Sequence, residues 1–545
     1  MHRTFTRLGF TAAVLVAGSG IIAHAQTATT GGLSGTVSDK NGTPLVGATV
    51  RLTSTQTSRT IITGSDGAFR LGLLNPGAWT VEVTKSGFQK ITQTVSVLVN
   101  QTQPVTFKMA SEAATVVEVL GTTTTVDSTT TQTGLTTTMD NLSAIPKGRD
   151  ISSVAFLAPG VTSGGMGDKD PSIGGGSAAE NSYIVDGLST TNTARGYQGA
   201  SLVTDFIDQV EVQTGGFKPE FSALGGVINA ITKSGSNEFK GSAWLTWDPT
   251  GIGAKPKKNE FYRQDPAPTR YDIGAEVGGP LIKDKLFYFV GIDYTYTEYN
   301  EKNNLPNLSN KTDGTRKIDD YQMIAKLNWY LTPDQQFTFS ANLNDRKENQ
   351  PNAYPASLGN AQLGQNEKQT TQNLVLNYDW TISPSLFLSA KLGTTQYKTD
   401  ITATDATTIA VTDYRWADDG PGFLAGDPNA GSGLGFRSGG AGYYVPSEKI
   451  QTTQAKVDLS YFLGSHNMKF GVSQLVSKYT EVAATSGGER VTINAVGSSS
   501  TQIIRQFLHT NATVKEIINA VYAQDTWDVG SGVKLMYGFR WEMQD

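Results

Sequence analysis

The sequence predicts a mainly β protein: an N-terminal β-sandwich, a compact α+β domain, then a transmembrane antiparallel β-barrel. Three observations carry this prediction. Short strands punctuated by turn residues run from Leu33 to about Ala110, and a second Val/Ile-rich segment runs from Met139 to Gly235. Beyond Lys240, amphipathic strands are joined alternately by short turns and long polar loops. At 545 residues, with 59 Gly and 17% charged residues, the chain is too long for one ordinary core and too polar for a helical membrane protein.

The chain opens with Arg3 and Arg7, an apolar run from Ala12 to Ala23 and Ala23-His24-Ala25 before Gln26. This reads as a secretory signal over residues 1–25, its apolar run being too short to span a membrane. Cleavage there removes two of 44 basic groups and none of 49 acidic ones, leaving a balance of −7. That balance does not fit a nucleic-acid binder. With no Cys in an exported chain, disulfides, thiolate metal sites and a cysteine nucleophile are excluded.

Over residues 33–110, Asp39–Gly42, Ser65–Gly67 and Asn75-Pro76-Gly77 are turn clusters. Val37, Val46, Val50, Leu52, Phe69, Leu71, Leu73, Val81 and Val83 are the core candidates of the small sandwich. Residues 111–138 shift to Thr-rich composition and read as a flexible linker. At its start Thr115–Gly121, TVVEVLG, is either a short free extended peptide or a last strand of the sandwich.

Residues 139–235 form the compact domain, in which Leu142, Ile145, Ile151, Val154, Phe156 and Leu157 suit a short helix and turn packed on a sheet. Ile207–Val212 and Val227–Thr232 have strand composition, and Gly215-Gly216 and Gly225-Gly226 permit positive φ or close backbone approach. Asp186-Gly187 is a hairpin-turn pair. Asp168 and Asp170 flank Lys169 in a glycine-rich loop, and Arg195 and Tyr197 follow the Asp186-Gly187 turn. Each is open to two readings, a solvated loop tip or a contact to an incoming ligand.

From residue 236 to 545 the alternation is explicit. Leu374, Leu376, Tyr378 and Trp380 share one face and Asn373, Asn377 and Asp379 the other. Val457, Leu459 and Tyr461 repeat the pattern against Lys456, Asp458 and Ser460, as Leu386, Leu388, Ala390 and Leu392 do against Ser389 and Lys391. Aromatic strand ends such as Trp329-Tyr330, Trp380, Tyr461-Phe462 and Trp527 suit interfacial girdles, which distinguishes a membrane barrel from a soluble sandwich. Short connections lie near Pro280–Lys285, Thr332–Gln335, Ser383-Pro384, Gly464–Asn467 and Gly530–Gly532. Long ones run near Asp248–Arg270, Asn300–Ile318, Lys347–Thr370, Lys398–Ile450 and Thr480–Ile517, and face outside.

The segment Asp205–Ser242, with IDQVEV, a GG turn, EFS and then GGVINAITKSGSNEFKGS, resembles the TonB-dependent outer-membrane receptors where the plug domain meets the first barrel strand. Its last part, with Gly278–Tyr294 and Tyr522–Glu542, is similar to the Oar-like branch. The order GTVSD, GTPLVGATV, DGAF and NPGAWTV is similar to the carboxypeptidase regulatory-like domain, a name that implies no peptidase activity. The resemblance implies that residues 139–235 are the plug, with Asp186, Gly187, Gly215, Gly216, Gly225 and Gly226 as its structural motif. It places a TonB-box candidate at Val116, Val117, Glu118 and Val119, whose requirement is an unpaired strand able to add to a partner's sheet edge. Barrels of this family use about 22 strands, whereas about eleven are countable before Asp545. The expectation is therefore a truncated sequence or a fragment lacking the C-terminal half of the barrel.

No HExxH, Walker loop, nucleophile elbow or clustered metal site is present, so neither an enzyme nor a bound metal or cofactor is expected. The expected function is uptake of an unidentified external ligand by proton-motive-force-driven plug rearrangement. The expected partners are TonB with its inner-membrane complex and outer-membrane lipid, with the N-terminal and linker segments in the periplasm. An adhesion or surface-structure protein, and protein export through the same type of barrel, are the alternatives.

Overall fold

Strand propensity, alternation and turn chemistry agree along most of this chain, and its computed structural model is correspondingly almost all β. The structure describes residues 27–112, 121–123, 131–142, 145, 148–164, 170–199, 201–249, 268–301, 314–350, 364–413, 436–438, 440, 442–496, 500–530 and 533–545. The signal over 1–25, the Val116–Val119 segment and Asp168 lie outside the described residues.

Eight strands make the N-terminal unit: β1 (Gly31–Asp39), β2 (Thr49–Thr53), β3 (Ser58–Ile62), β4 (Ala68–Leu74), β5 (Gly77–Thr84), β6 (Ile91–Val97), β7 (Thr102–Met109) and β8 (Gly121–Thr123). They form two four-stranded sheets, β4-β1-β7-β8 and β3-β2-β5-β6. Their inward faces bury Leu33, Val37, Val50, Leu52, Phe69, Val81, Val83 and Phe107 around Trp79. Two core candidates behave differently. Val46 is 52% exposed because it lies in the turn before β2. Leu73 is buried, but against Phe387 and Phe462 of the barrel.

The compact domain has the edge strand β9 (Thr133–Thr138), helices α1 (Met139–Leu142) and α2 (Ile151–Ala155) and the hairpin β10 (Val161–Ser163) and β11 (Pro171–Ile173). It continues with β12 (Ser182–Val185), β13 (Leu188–Ser189), β14 (Ile207–Gly215) and β15 (Val227–Thr232) in a sheet of order β13-β12-β15-β14-β9. Thr133–Thr138, read as linker, is thus a strand, its β-branched residues pairing with β14. Asp150 caps α2 by accepting from the Ser153 amide at 2.9 Å. Leu142, Ile151 and Val154 pack on the apolar face of this sheet, whereas Ile145 and Leu157 are exposed, these helices being too short to bury a full stripe. Asp186 and Gly187 take φ of 48° and 90° in the β12–β13 turn, the hairpin geometry that their pair predicts.

The rest is one antiparallel eleven-stranded sheet, with two loop hairpins that join each other in a separate four-stranded sheet. Its strands begin with β16 (Lys240–Asp248), β17 (Thr269–Ile282), β18 (Leu286–Glu301), β19 (Gly314–Thr332), β20 (Gln335–Gln350), β21 (Gln365–Ser383) and β22 (Leu386–Ala403). The loop strands β23 (Ala410–Asp413) and β24 (Phe436–Ser438) precede β25 (Tyr443–Leu463) and β26 (His466–Thr485). The loop strands β27 (Arg490–Val496) and β28 (Ser500–Gln506) precede β29 (Thr510–Gly530) and β30 (Val533–Gln544). The strands exceed the reading from sequence, which ended several of them at their last alternating residues. The β25–β26 ladder runs from Leu463↔His466 to Tyr443↔Thr485, because hairpin pairing continues beyond the membrane through Thr, Gln and Lys.

One domain touches both outer strands of this sheet. Arg149 donates to Thr246 of β16 at 3.3 Å, and Arg540 of β30 donates to the Pro219 carbonyl at 3.3 Å. Eleven flat strands would be roughly 48 Å across, so the sheet must curve around the plug. Its outer face carries Leu343, Leu376, Leu392, Val457, Val472 and Val521, and its inner face Asn373, Asn377, Lys391, Lys456 and Lys469. Among the described residues no helix is long and apolar enough to cross a membrane.

Candidate functional site

The curved wall and the plug meet mainly through polar side chains. Lys326 of β19 donates to Asp186 Oδ1 at 3.1 Å and to Thr232 O at 2.9 Å, and Thr232 Oγ1 donates to Asp186 Oδ2 at 2.8 Å. Burial alone would raise the Asp186 pKa, but Lys326 and the Thr232 hydrogen bonds outweigh it and hold the carboxyl below its ordinary range. Glu220 receives Lys456 at 3.1 Å and Lys469 at 2.7 Å, and against its burial these cations, with Lys218, hold it far below the ordinary range. Arg149 faces Asp205 at 2.7 Å and Asp272 at 3.1 Å. Gln454 of β25 exchanges two hydrogen bonds with the Ser189 backbone, at 3.1 and 2.6 Å.

An apolar contact between plug and wall lies at Phe206, whose ring fills the space above Gly291. A Cβ added at Gly291 would lie 2.4 Å from Phe206 Cε1. Close approach also explains Gly226, where a Cβ would meet Ile173 Cγ2 at 2.4 Å. Gly216 has both reasons, a φ of 68° and a Cβ that would lie 2.6 Å from the Thr131 carbonyl oxygen.

On the loop side of the plug, Arg195 and Tyr197 stand in the loop after β13. Asn192 Oδ1 accepts from the Ala194 and Arg195 amides, both at 3.1 Å, and shapes this turn. Arg195 Nε and Nη2 then donate to Glu448 of β25 at 3.1 and 2.5 Å, a two-pronged pair. Those bonds push the Arg195 pKa up despite its partial burial. Burial, with Tyr397 beside it, pushes up that of Tyr197. Arg195 is therefore half-exposed and already oriented by the wall. Asp170 is not part of this cluster: it precedes β11, and its carbonyl accepts from the Gly164 amide at 2.9 Å.

On the opposite side the sandwich covers the polar face of the plug sheet. Gln209, Glu211, Gln213 and Asn229 are all buried there. Gln209 accepts from the Val99 amide at 2.9 Å and donates to the Val97 carbonyl at 3.1 Å, while Asn100 donates to Glu211 at 2.9 Å. Burial raises the Glu211 pKa, opposed by the Asn100 hydrogen bond and by Lys218. The sandwich also grips the short barrel turns, with Arg59 donating to Thr381 at 3.1 Å and Asn75 to the Tyr330 hydroxyl at 2.8 Å.

The residues that couple plug to wall, namely Lys326, Glu220, Glu448, Lys456 and Lys469, were not among the sequence-derived candidates. Their signal was available: each lysine is a charge on the polar face of an alternating strand. Their pairing is not legible, since the partners are separated by 140 to 253 residues.

An outer membrane beta barrel domain family matches residues 231–308 and 295–545, a carboxypeptidase regulatory-like domain 32–110, and a TonB-dependent receptor plug domain 109–227. The TonB-dependent transporter Oar of Myxococcus xanthus is 26% identical over 633 residues, covering 98% of this chain and 59% of Oar. The chain thus spans about three-fifths of that relative's length. The outer membrane transporter YddB of Escherichia coli matches with a TM-score of 0.56 at 17% identity, over 76% of this chain and 56% of YddB. A ferric enterobactin receptor mutant, PfeA of Pseudomonas aeruginosa, matches with a TM-score of 0.51 at 17% identity, over 76% of this chain and 57% of PfeA. At such identities the two solved structures speak for the fold alone. With barrel, plug and regulatory-like domain matched in order, the chain belongs to the TonB-dependent receptors of the outer membrane.

Proposed function

We propose that this chain provides the plug, the ligand-facing vestibule and part of the wall of a transporter that imports an external ligand by plug rearrangement driven through TonB. The single observation that supports this most is the chemistry of the plug–wall boundary. Asp186–Lys326, Glu220–Lys456 and Arg195–Glu448 are ionic and Ser189–Gln454 is hydrogen-bonded, so water can replace each contact when the plug moves. An apolar core of equal area would hold the plug permanently.

In this reading, Arg195 and Tyr197 meet a polar ligand arriving from outside, Asp168 and Asp170 are further candidate contacts to it, and Val116–Val119 is the box that pairs as a strand with TonB. Asp186-Gly187, Gly215-Gly216 and Gly225-Gly226 are the turns and close contacts that keep the plug folded around that site. The test uses the full-length protein and the purified periplasmic domain of the host TonB, with binding followed by calorimetry. Binding is expected for the wild type and lost on deletion of Val116–Val119. Binding that survives the deletion sinks the assignment of the box, and no binding by the wild type sinks the transport reading itself.

A further inference from the structure

Sandwich, plug and wall enclose a cavity of about 360 Å³ beside the short turn between β25 and β26. Each part supplies it with a cation: Arg70 from β4 of the sandwich, Lys218 from the plug segment after β14, and Lys469 of β26 and Lys534 of β30 from the wall. Lys469 alternates with the exposed, lipid-facing Phe470 and Val472, which puts the cavity on the inner side of the wall. A lipid headgroup outside the wall therefore does not reach it.

The lining is electrically one-sided. Its only carboxylate among the described residues is Asp528, which lies 3.8 Å from Lys534 and also attracts Arg70. Further acids stand behind the lining: Glu220 takes Lys469 at 2.7 Å, and Asp66 attracts Arg70. Lys218 is linked to Glu211 through the Asn100 amide, at 2.6 and 2.9 Å. Lys218 and Lys469 are almost fully buried, and burial lowers the Arg70 pKa against the pull of Asp66 and Asp528. Four cations thus face one carboxylate across a space whose low-dielectric walls focus their field into it.

We infer that this cavity is a binding site for a soluble phosphate compound, with Lys218 and Lys469 as its buried contacts and Arg70 and Lys534 as the half-buried ones. The cations converge from three parts of the fold and not from one edge, so they suit a tetrahedral, multivalent anion better than a planar carboxylate. The volume exceeds one phosphate group and leaves room for a second, or for an ester substituent. An anion held there touches sandwich, plug and wall together. Its charge-assisted hydrogen bonds then pin the sandwich against the other two.

The full-length protein in dodecylmaltoside is titrated calorimetrically, at one ionic strength, with pyrophosphate, acetate and dihexanoyl phosphatidylglycerol. The wild type is expected to bind pyrophosphate at least about tenfold more tightly than either of the others. The variant R70Q/K534Q is expected to weaken pyrophosphate binding by at least about tenfold. K90Q/K108Q, which removes the same charge from exposed positions of the sandwich outside the cavity, is expected to leave it unchanged. The inference is overturned if folded R70Q/K534Q binds pyrophosphate within about twofold of the wild type, or if K90Q/K108Q weakens binding as much. Equal binding of acetate or of the lipid by the wild type overturns it too. Should R70Q/K534Q fail to fold, the wild type's discrimination between pyrophosphate and acetate decides alone.

Discussion

Asp186 of the plug and Lys326 of the wall meet at 3.1 Å with side chains only 3% and 5% exposed, which makes their ion pair a buried junction between plug and wall. Thr232 bonds both members, so the pair is satisfied only while plug strand β15, the β12–β13 turn and wall strand β19 are in register.

Removing one partner should expose that dependence. Lys326→Met leaves the Asp186 carboxylate buried without its counter-charge, a change that costs about 3–5 kcal/mol in buried pairs. Hydrogen exchange should show plug strands β12 and β15 opening, and Asp186→Asn in the same chain should restore much of the loss. Independent, additive effects of the two substitutions would contradict the coupling.

Plug seating also depends on the missing side chain at Gly291. Gly291→Ala drives a methyl into the Phe206 ring and should destabilise the seated plug by about 1–3 kcal/mol. Phe206→Ala in the Gly291→Ala background should recover part of this by making room. Protease protection of the plug reports both, and no rescue means that the contact is not the cause.

The sandwich is held on the barrel by Leu73, Phe387 and Phe462, a cluster separate from its own core. Leu73→Ala should therefore loosen docking by about 2–3 kcal/mol while the sandwich stays folded. Limited proteolysis should cut more readily between sandwich and barrel, with the isolated sandwich melting as before. A matching fall in the sandwich's own melting temperature would show that Leu73 serves its core.

Docking should also respond to pH. Burial raises the Glu211 carboxyl above its ordinary value of 4.5, and burial pushes Asp208, in the same junction, up to about 6. A carboxyl with a raised pKa binds more protons docked than undocked. Its contribution is present below the ordinary value and is lost as pH rises through the docked value. Amide protection around Val97–Asn100 should thus be higher at pH 4.5 than at pH 7, and Glu211→Gln should flatten the profile. A rise in protection toward pH 7 would reverse the assigned sign.

Much of this was legible because it is local. Alternation at Leu374–Trp380, the Asp186-Gly187 turn and the short connection at Thr332–Gln335 are each fixed within a few residues, and β12–β13 and β19–β20 form where they predict. Local reasoning failed where a partner decided the outcome. Thr133–Thr138 reads as linker until β14 supplies hydrogen bonds, and Ile145 reads as core until the helix beside it proves too short to cover it.

The sequence by itself determined most of the strand identities, their inward and outward faces and the order of sandwich, plug and wall, because these follow from periods of two and from turn chemistry. Only the tertiary structure decided which charges meet. Whether Glu448 would find Arg195, Glu220 would find two lysines, or Leu73 would leave its own core for Phe387 depends on how the wall curves around the plug. That curvature is set by the sum of all strand pairings and is written at no single position.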